Sequence, residues 1–327
     1  MNTEVTQAPQ LSTGRLLFLG AASVILCISL IMSVFAPLPL ALAVILYGRV
    51  KGYLTCLAGL IISFAASLLL YKSLTLFGFY AMVLIFGVAI AEIVLRGINP
   101  IKGLVSVGLL FIGLFSMAFG LVLNAENLTT KEFIIRELEK SKDQIALQKE
   151  AIKDSTDKDS IQVLQLLDKP DLLAAELMET FPSYFFMIIF IMLWFNMFLV
   201  LKSRRLLLSG QEYPFSENNL LNFKVPFPFV IVLSVGLALA VWGTDYLGSA
   251  VFETVGYTIV KCLGIFYFFQ GFGVFSDLLN FIGVGGLFRS LIVMLVIFTA
   301  NYLIAAAGLF DNWFDFRKYF VRQKTED

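Results

Sequence analysis

The chain has 327 residues, 59% of them hydrophobic and 15% charged, and its 24 basic and 24 acidic side chains balance to zero. Soluble domains carry about 25% charged residues, so this composition excludes a water-soluble fold. Histidine is absent, which removes histidine metal sites, histidine-dependent triads and histidine proton relays. No basic run is long enough for a nucleic-acid footprint.

Apolar stretches of spanning length recur at about 16–36, 52–71, 75–95, 103–124, 183–201, 227–247, 254–275 and 288–309, with a shorter one at 37–48. Twenty helical residues at ~1.5 Å rise cover a ~30 Å hydrocarbon core and keep every backbone hydrogen bond internal. The expected fold is all-α, a polytopic transmembrane helical bundle of eight or nine spans with one polar helical-hairpin insertion. Residues 1–124 form an N-terminal membrane half of four or five spans and 125–181 the insertion. Residues 182–327 form a C-terminal membrane half of about four spans with an interfacial tail.

Residues 1–15 are polar, with Arg15 just before the first span. Val34-Phe35-Ala36 has small residues at cleavage-like spacing. The apolar run is longer than a signal-peptide core and Pro37 follows, so it reads as an uncleaved first helix. Pro37 and Pro39 open the 37–48 stretch, and proline suits a first helical turn. Two readings stand: a short arm of a tight hairpin, of the kind that borders transporter sites, or a helix extended by Tyr47 with snorkelling Arg49 and Lys51. Glu92 lies near the end of its span, one turn before Arg96, which predicts an i,i+4 ion pair.

The 125–181 interruption holds 8 basic and 13 acidic residues. Thr129-Thr130-Lys131-Glu132 predicts a capping box. Ile134, Leu138, Ser141, Ile145, Gln148 and Ile152 follow at heptad spacing, with two polar slots. Asp154 to Ser160 breaks this stripe, and a second helical stretch carries Ile161, Leu164 and Leu167. Lys169-Pro170-Asp171 restarts a helix expected to end at Phe181-Pro182. Two readings stand for the hairpin: a helix lying on its neighbour, or a coil that binds a partner.

Asn196 predicts an inter-helix hydrogen bond inside the sixth span. In the 206–226 loop, Tyr213, Phe215, Leu220, Leu221 and Phe223 are expected at headgroup depth. Orientation follows the Lys/Arg bias of short loops. With nine spans and the N-terminus inside, Arg15, Arg49, Lys51, Arg96, Lys102, Lys202, Arg204, Arg205, Lys224 and Arg289 share one side. Lys72 and the tail residues Arg317, Lys318, Arg322 and Lys324 fall on the other. The loop bias places the N-terminus in the cytoplasm and 125–181 outside it. A basic tail on the outer side conflicts with the same rule, and its side stays open.

Ionisable groups inside spans are functional candidates by default. Lys261 lies well inside its span and is the strongest, and Glu92 follows; Asn301, mid-span in the last helix, is a polar candidate whose usual role is inter-helix hydrogen bonding. Gln270 stands in Tyr267-Phe268-Phe269-Gln270-Gly271-Phe272-Gly273, where the glycines shape a small cavity or admit another helix. These four residues, Lys261, Gln270, Asn301 and Glu92, are the candidate ligand-binding set. No pair of intramembrane carboxylates is expected, although many proton- and sodium-coupled carriers would show one. Asp311 and Asp315, one turn apart on one face beside Trp313, either bind a cation or meet Arg317 and Lys318, or act as cap and interface anchor, and the last is the preferred reading. Cys27, Cys56 and Cys262 lie in apolar spans without a CxxC pair and read as small apolar residues. No catalytic constellation, metal site or cofactor is expected, and no GxxxxGK[ST] loop occurs, so uphill transport would need an ion gradient or a separate ATPase.

The Pro37-Leu38-Pro39-Leu40-Ala41-Leu42 segment, the Gly48-Arg49 turn, Tyr267–Gly273 and the closing Gly308-Leu309-Phe310-Asp311 and Phe314-Asp315-Phe316-Arg317 segments resemble the YybS-like family. These are predicted bacterial membrane proteins of unknown function, distantly similar to substrate-binding membrane subunits of energy-coupling-factor transporters. The resemblance spans nearly the whole chain and carries no known catalytic or binding residue. Together with the short second arm, Lys261 and the missing P-loop, it points to a small-solute binding or transport subunit of the bacterial inner membrane, served by an ATPase or another membrane-protein partner; an intramembrane enzyme is the weakest reading, because no nucleophile–base constellation occurs. The rival expectation is a membrane scaffold that recruits partners through 125–181.

Overall fold

Proline and glycine set the breaks in the first membrane segment. The computed structural model describes residues 13–29, 32–71, 73–140, 169–203 and 213–320, and every element among them is helical. Helix α1 (Thr13–Ile28) leads through a 3-10 turn (Met32–Phe35) into α2 (Pro37–Ala66). Within α2, Gly48 holds φ 81° and ψ 166°, a region that essentially only glycine occupies. A Cβ on Gly52 would collide with the Cα of Val44. A straight helix would hold those positions ~12 Å apart. The chain therefore doubles back at Gly48. The short 37–48 stretch is a reversing arm: its helix runs through Tyr47 and ends at Gly48, and Arg49 and Lys51 belong to the second arm.

Helix α3 (Thr75–Leu95) packs on both arms. Gly87 admits Leu40 and the Pro37 carbonyl, and Gly59 leaves room for the Tyr80 ring. Ser23 of α1 donates to the Ala36 carbonyl at 2.8 Å, tying α1 to the start of the short arm. Pro100 opens α4 (Pro100–Glu126).

Helix α5 (Thr130–Lys140) begins with the predicted capping box. The Thr129 N–H donates to the Glu132 carboxylate at 2.8 Å, and the Glu132 N–H donates to Thr129 Oγ1 at 3.3 Å. The heptad positions from Ser141 to Ile152 and the stretch with Ile161, Leu164 and Leu167 lie outside the described residues. Helix α6 (Pro170–Lys202) restarts at Pro170 as expected but does not end at Pro182. Proline deletes one backbone bond. The helix continues through Pro182, with the Thr180 hydroxyl donating to the Glu176 carbonyl (2.8 Å) and the Ser183 hydroxyl to the Thr180 carbonyl (2.9 Å) on either side.

The remaining helices are α7 (Glu217–Leu221), α8 (Pro228–Leu247), α9 (Ala250–Ile282), α10 (Gly286–Thr299), α11 (Asn301–Phe314) and α12 (Arg317–Phe320). The expected 288–309 span is two helices, α10 and α11, meeting at 94°. Six described helices are long and apolar enough to cross a membrane, or seven with that bent pair counted as one. The count falls below eight or nine because α1 has only 16 residues and the 37–48 arm, at about 16 Å, covers half a hydrocarbon core.

Two compact units result: one of residues 1–108, 188–230 and 263–327, the other of 109–187 and 231–262. In the second, α8 and α9 run antiparallel through close glycine contacts, Gly236 on Ile259 and Gly256 on the Ala240 backbone. Phe115 packs between Phe111, Phe119 and Phe185 in the same unit. In the first, Trp194 stacks on Phe269 at 4.4 Å and meets Phe223 edge-on at 5.1 Å.

Candidate functional site

The polar centre of the first unit is built where α9 and α11 cross. Gly271 and Gly308 make the crossing: a Cβ on Gly271 would fall inside the Ile304 carbonyl, and one on Gly308 inside the Tyr267 carbonyl. Backbones this close bring side chains one turn away into direct contact. Gln270, fully buried, accepts from the Val225 N–H at 2.8 Å. Its amide nitrogen donates to Asp311 Oδ2 at 3.1 Å and to Asn312 Oδ1 at 3.3 Å.

Arg317 enters this centre because Asp315 turns the chain. Asp315 follows α11 in the left-handed region (φ 45°, ψ 57°), which aspartate tolerates better than most residues. The Arg317 guanidinium donates to the Gln270 carbonyl (3.1 Å), the Phe223 carbonyl (3.3 Å) and Asn222 Oδ1 (3.1 Å). Its Nε lies 3.7 Å from Asp311 Oδ2 and 4.0 Å from Asp277 Oδ2. Both gaps exceed hydrogen-bond distance. Buried Arg317 Nε, Asn312 Nδ2 and Asp311 Oδ1 have no hydrogen-bond partner among the described residues. Two unmatched donors, one of them the guanidinium's own Nε, and one unmatched acceptor thus belong to three residues of one buried network, an arrangement that a polar guest or water satisfies and a dry core does not.

At the rim, Asp315 takes Lys224 at 2.7 Å and Lys318 at 2.8 Å. These two ammonium donors hold its carboxyl down to about 2. Beside Asp277, Arg289 of α10 is engaged by Asn280 and Ser276.

The expected absence of a carboxylate pair is corrected here, since Asp277 and Asp311 converge on Arg317. The apolar windows stopped at 275 and 309, whereas backbone hydrogen bonding continues to Ile282 and Phe314. The tail also finds its place: Arg317 and Lys318 lie beside Asn222 and Lys224, at the end of the unit where that loop sits. Among the described residues of the 206–226 loop, four of the five side chains expected at headgroup depth are instead buried within the protein. Tyr213, Leu220, Leu221 and Phe223 are buried, and the Tyr213 hydroxyl donates to the Ile98 carbonyl at 2.7 Å.

The four candidate residues fall in separate places. Gln270 is central to the network. Glu92 belongs to another cluster, bonded by Arg49 (2.7 Å), Arg96 (2.6 Å) and the Tyr53 hydroxyl (2.6 Å). The Arg96 pair is the predicted one; Arg49 and Tyr53, distant in sequence, were not legible. Lys261 lies in the second unit, its ammonium 5.2 Å above the Tyr184 ring, with no carboxylate within 4.0 Å among the described residues. Asn301 is exposed at the first turn of α11, just past the 94° bend. Asn196, fully buried, donates to the Val34 and Met192 carbonyls, both at 2.7 Å, and so makes the expected inter-helix bond.

Spanning-length apolar helices with a buried polar centre define a multi-pass helical membrane protein. Residues 16–312 match the family described as "Predicted membrane protein (DUF2232)", and the chain belongs to that family. Comparison with curated proteins and with solved structures found no match.

Proposed function

We propose that the chain is a small-solute binding or transport subunit of the bacterial inner membrane, energised by a partner. The observation that carries this reading is the set of unmatched buried polar atoms on Arg317, Asp311 and Asn312, in the network that Gln270 joins. Burying donors and acceptors without partners costs about 1–3 kcal/mol each, and a polar guest recovers that cost. The YybS-like resemblance and the distant similarity to energy-coupling-factor subunits point the same way. In this reading the N-terminus and the basic loops face the cytoplasm, and 125–181 lies outside it.

A scaffold is the second reading, favoured by α5, which buries no residue and carries a charged face. Purification in mild detergent separates the two. Co-elution of an ATPase pair, with small polar solutes stabilising the wild-type protein but not Gln270→Leu, supports transport. Co-elution of a cell-envelope assembly that is lost on deleting 129–178, with no stabilising solute, replaces it with the scaffold.

A further inference from the structure

The Glu92 cluster has a charge surplus at a helix boundary. Arg49 follows the Gly48 turn at the start of the second arm of α2, and Arg96 caps α3. The two helix ends therefore coincide. Glu92 Oε1 accepts from Arg49 Nε and Tyr53, and Oε2 from Arg49 Nη2 (3.2 Å) and Arg96 Nε. One carboxylate thus orients two guanidiniums, leaving one positive charge over. Arg49 Nη1 and both terminal nitrogens of Arg96 have no partner among the described residues. The Arg49 and Arg96 side chains are 51% and 65% exposed, while Glu92 is only 17% exposed. The arginines face outward and the carboxylate does not.

The same arm carries an apolar stripe. Val50, Leu54, Leu57 and Ile61 are all more than half exposed, and their spacing of three and four residues places them on one helix face. The stripe starts beside Arg49 and runs away from it along the spanning arm. Fixed guanidinium forks suit phosphate oxygens, and an apolar stripe suits acyl chains.

We propose that Arg49 and Arg96 bind the phosphate of an anionic phospholipid whose acyl chains lie along Val50, Leu54, Leu57 and Ile61. A zwitterionic lipid fits less well: its ammonium needs a carboxylate, and both oxygens of Glu92 are already taken. The site is independent of any solute bound near Gln270.

Native mass spectrometry of the full chain, with phosphatidylglycerol and phosphatidylcholine supplied in equal amounts, tests the site. The wild-type protein retains phosphatidylglycerol preferentially. Arg96→Gln, which leaves the Arg49–Glu92 pair in place, weakens that retention about fivefold, the scale of one basic residue at an anionic surface. Arg96→Lys falls between the two, keeping the charge but losing the planar fork. Equal retention of the two lipids by the wild type overturns the proposal, as does an Arg96→Gln variant with undiminished preference. Displacement of the lipid by millimolar inorganic phosphate also overturns it, because the acyl stripe would then contribute nothing.

Discussion

Asp315 does two things that its position in sequence does not separate. Its left-handed backbone ends α11, and its carboxylate gathers Lys224 and Lys318. The carboxyl is held at about 2, below the ~3.9 of a free aspartate. A depressed folded value means stability that is present above the unfolded value and lost as pH falls from about 4 toward about 2. The carboxylate is partly exposed, so salt screens this contribution. Asp315→Asn keeps a residue that tolerates the left-handed region and removes the charge. We predict that the variant melts below the wild type at pH 7 in low salt and that the difference narrows at pH 3. A difference of the same size at both pH values would assign the role of Asp315 to the backbone alone. The ion pair of Glu92 with Arg96 and the Thr129–Glu132 cap were legible because their partners lie within one helical turn. Arg49, Asp277 and Arg317 were not, because 43, 34 and 47 residues separate them from Glu92, Asp311 and Gln270.

Helix crossings explain why Gln270 meets Asp311 at all. Gly271 and Gly308 are the positions where α9 and α11 touch through backbone, the small-residue packing that membrane helices favour. Gly271→Ala places a methyl group in the Ile304 carbonyl, and the helices must part. The expected cost is about 1–3 kcal/mol, read as a lower thermal midpoint. Gly264→Ala, seven residues earlier on the same helix, meets nothing within 4 Å and is expected to be neutral or stabilising, by up to about 1 kcal/mol. Equal effects at the two positions would show that backbone freedom, not the crossing, explains Gly271. The Tyr267–Gly273 segment was legible as a place for a cavity or a close helix, and helix approach is what the backbone contacts show. Its partner was hidden, since any glycine-bearing helix satisfies the same pattern.

At the scale of the whole chain, Arg317 and Lys318 lie beside Asn222 and Lys224, which ties the start of the tail to the described end of the 206–226 loop. We predict that single cysteines introduced as Ser203→Cys and Thr325→Cys react alike with an impermeant thiol reagent, and oppositely to Ser155→Cys. The background lacks Cys27, Cys56 and Cys262. Ser155→Cys should label in intact cells and the other two only after lysis. The reverse pattern would invert the proposed orientation, and opposite labelling at 203 and 325 would contradict the α11–α12 geometry.

Composition and hydropathy were enough to determine an all-helical membrane protein, because a segment of spanning length must satisfy its own backbone and bury its own apolar surface wherever it sits. Local chemistry likewise determined the α5 cap, the Pro170 restart and the Glu92–Arg96 pair. The reversal at Gly48 and the 94° break at Ala300 were decided by tertiary structure. Each depends on what packs or bonds across the break, and hydropathy does not report it. The polar centre was decided there too: its carboxylates and arginine lie just beyond the apolar windows, and only the crossing of α9 and α11 brings them together.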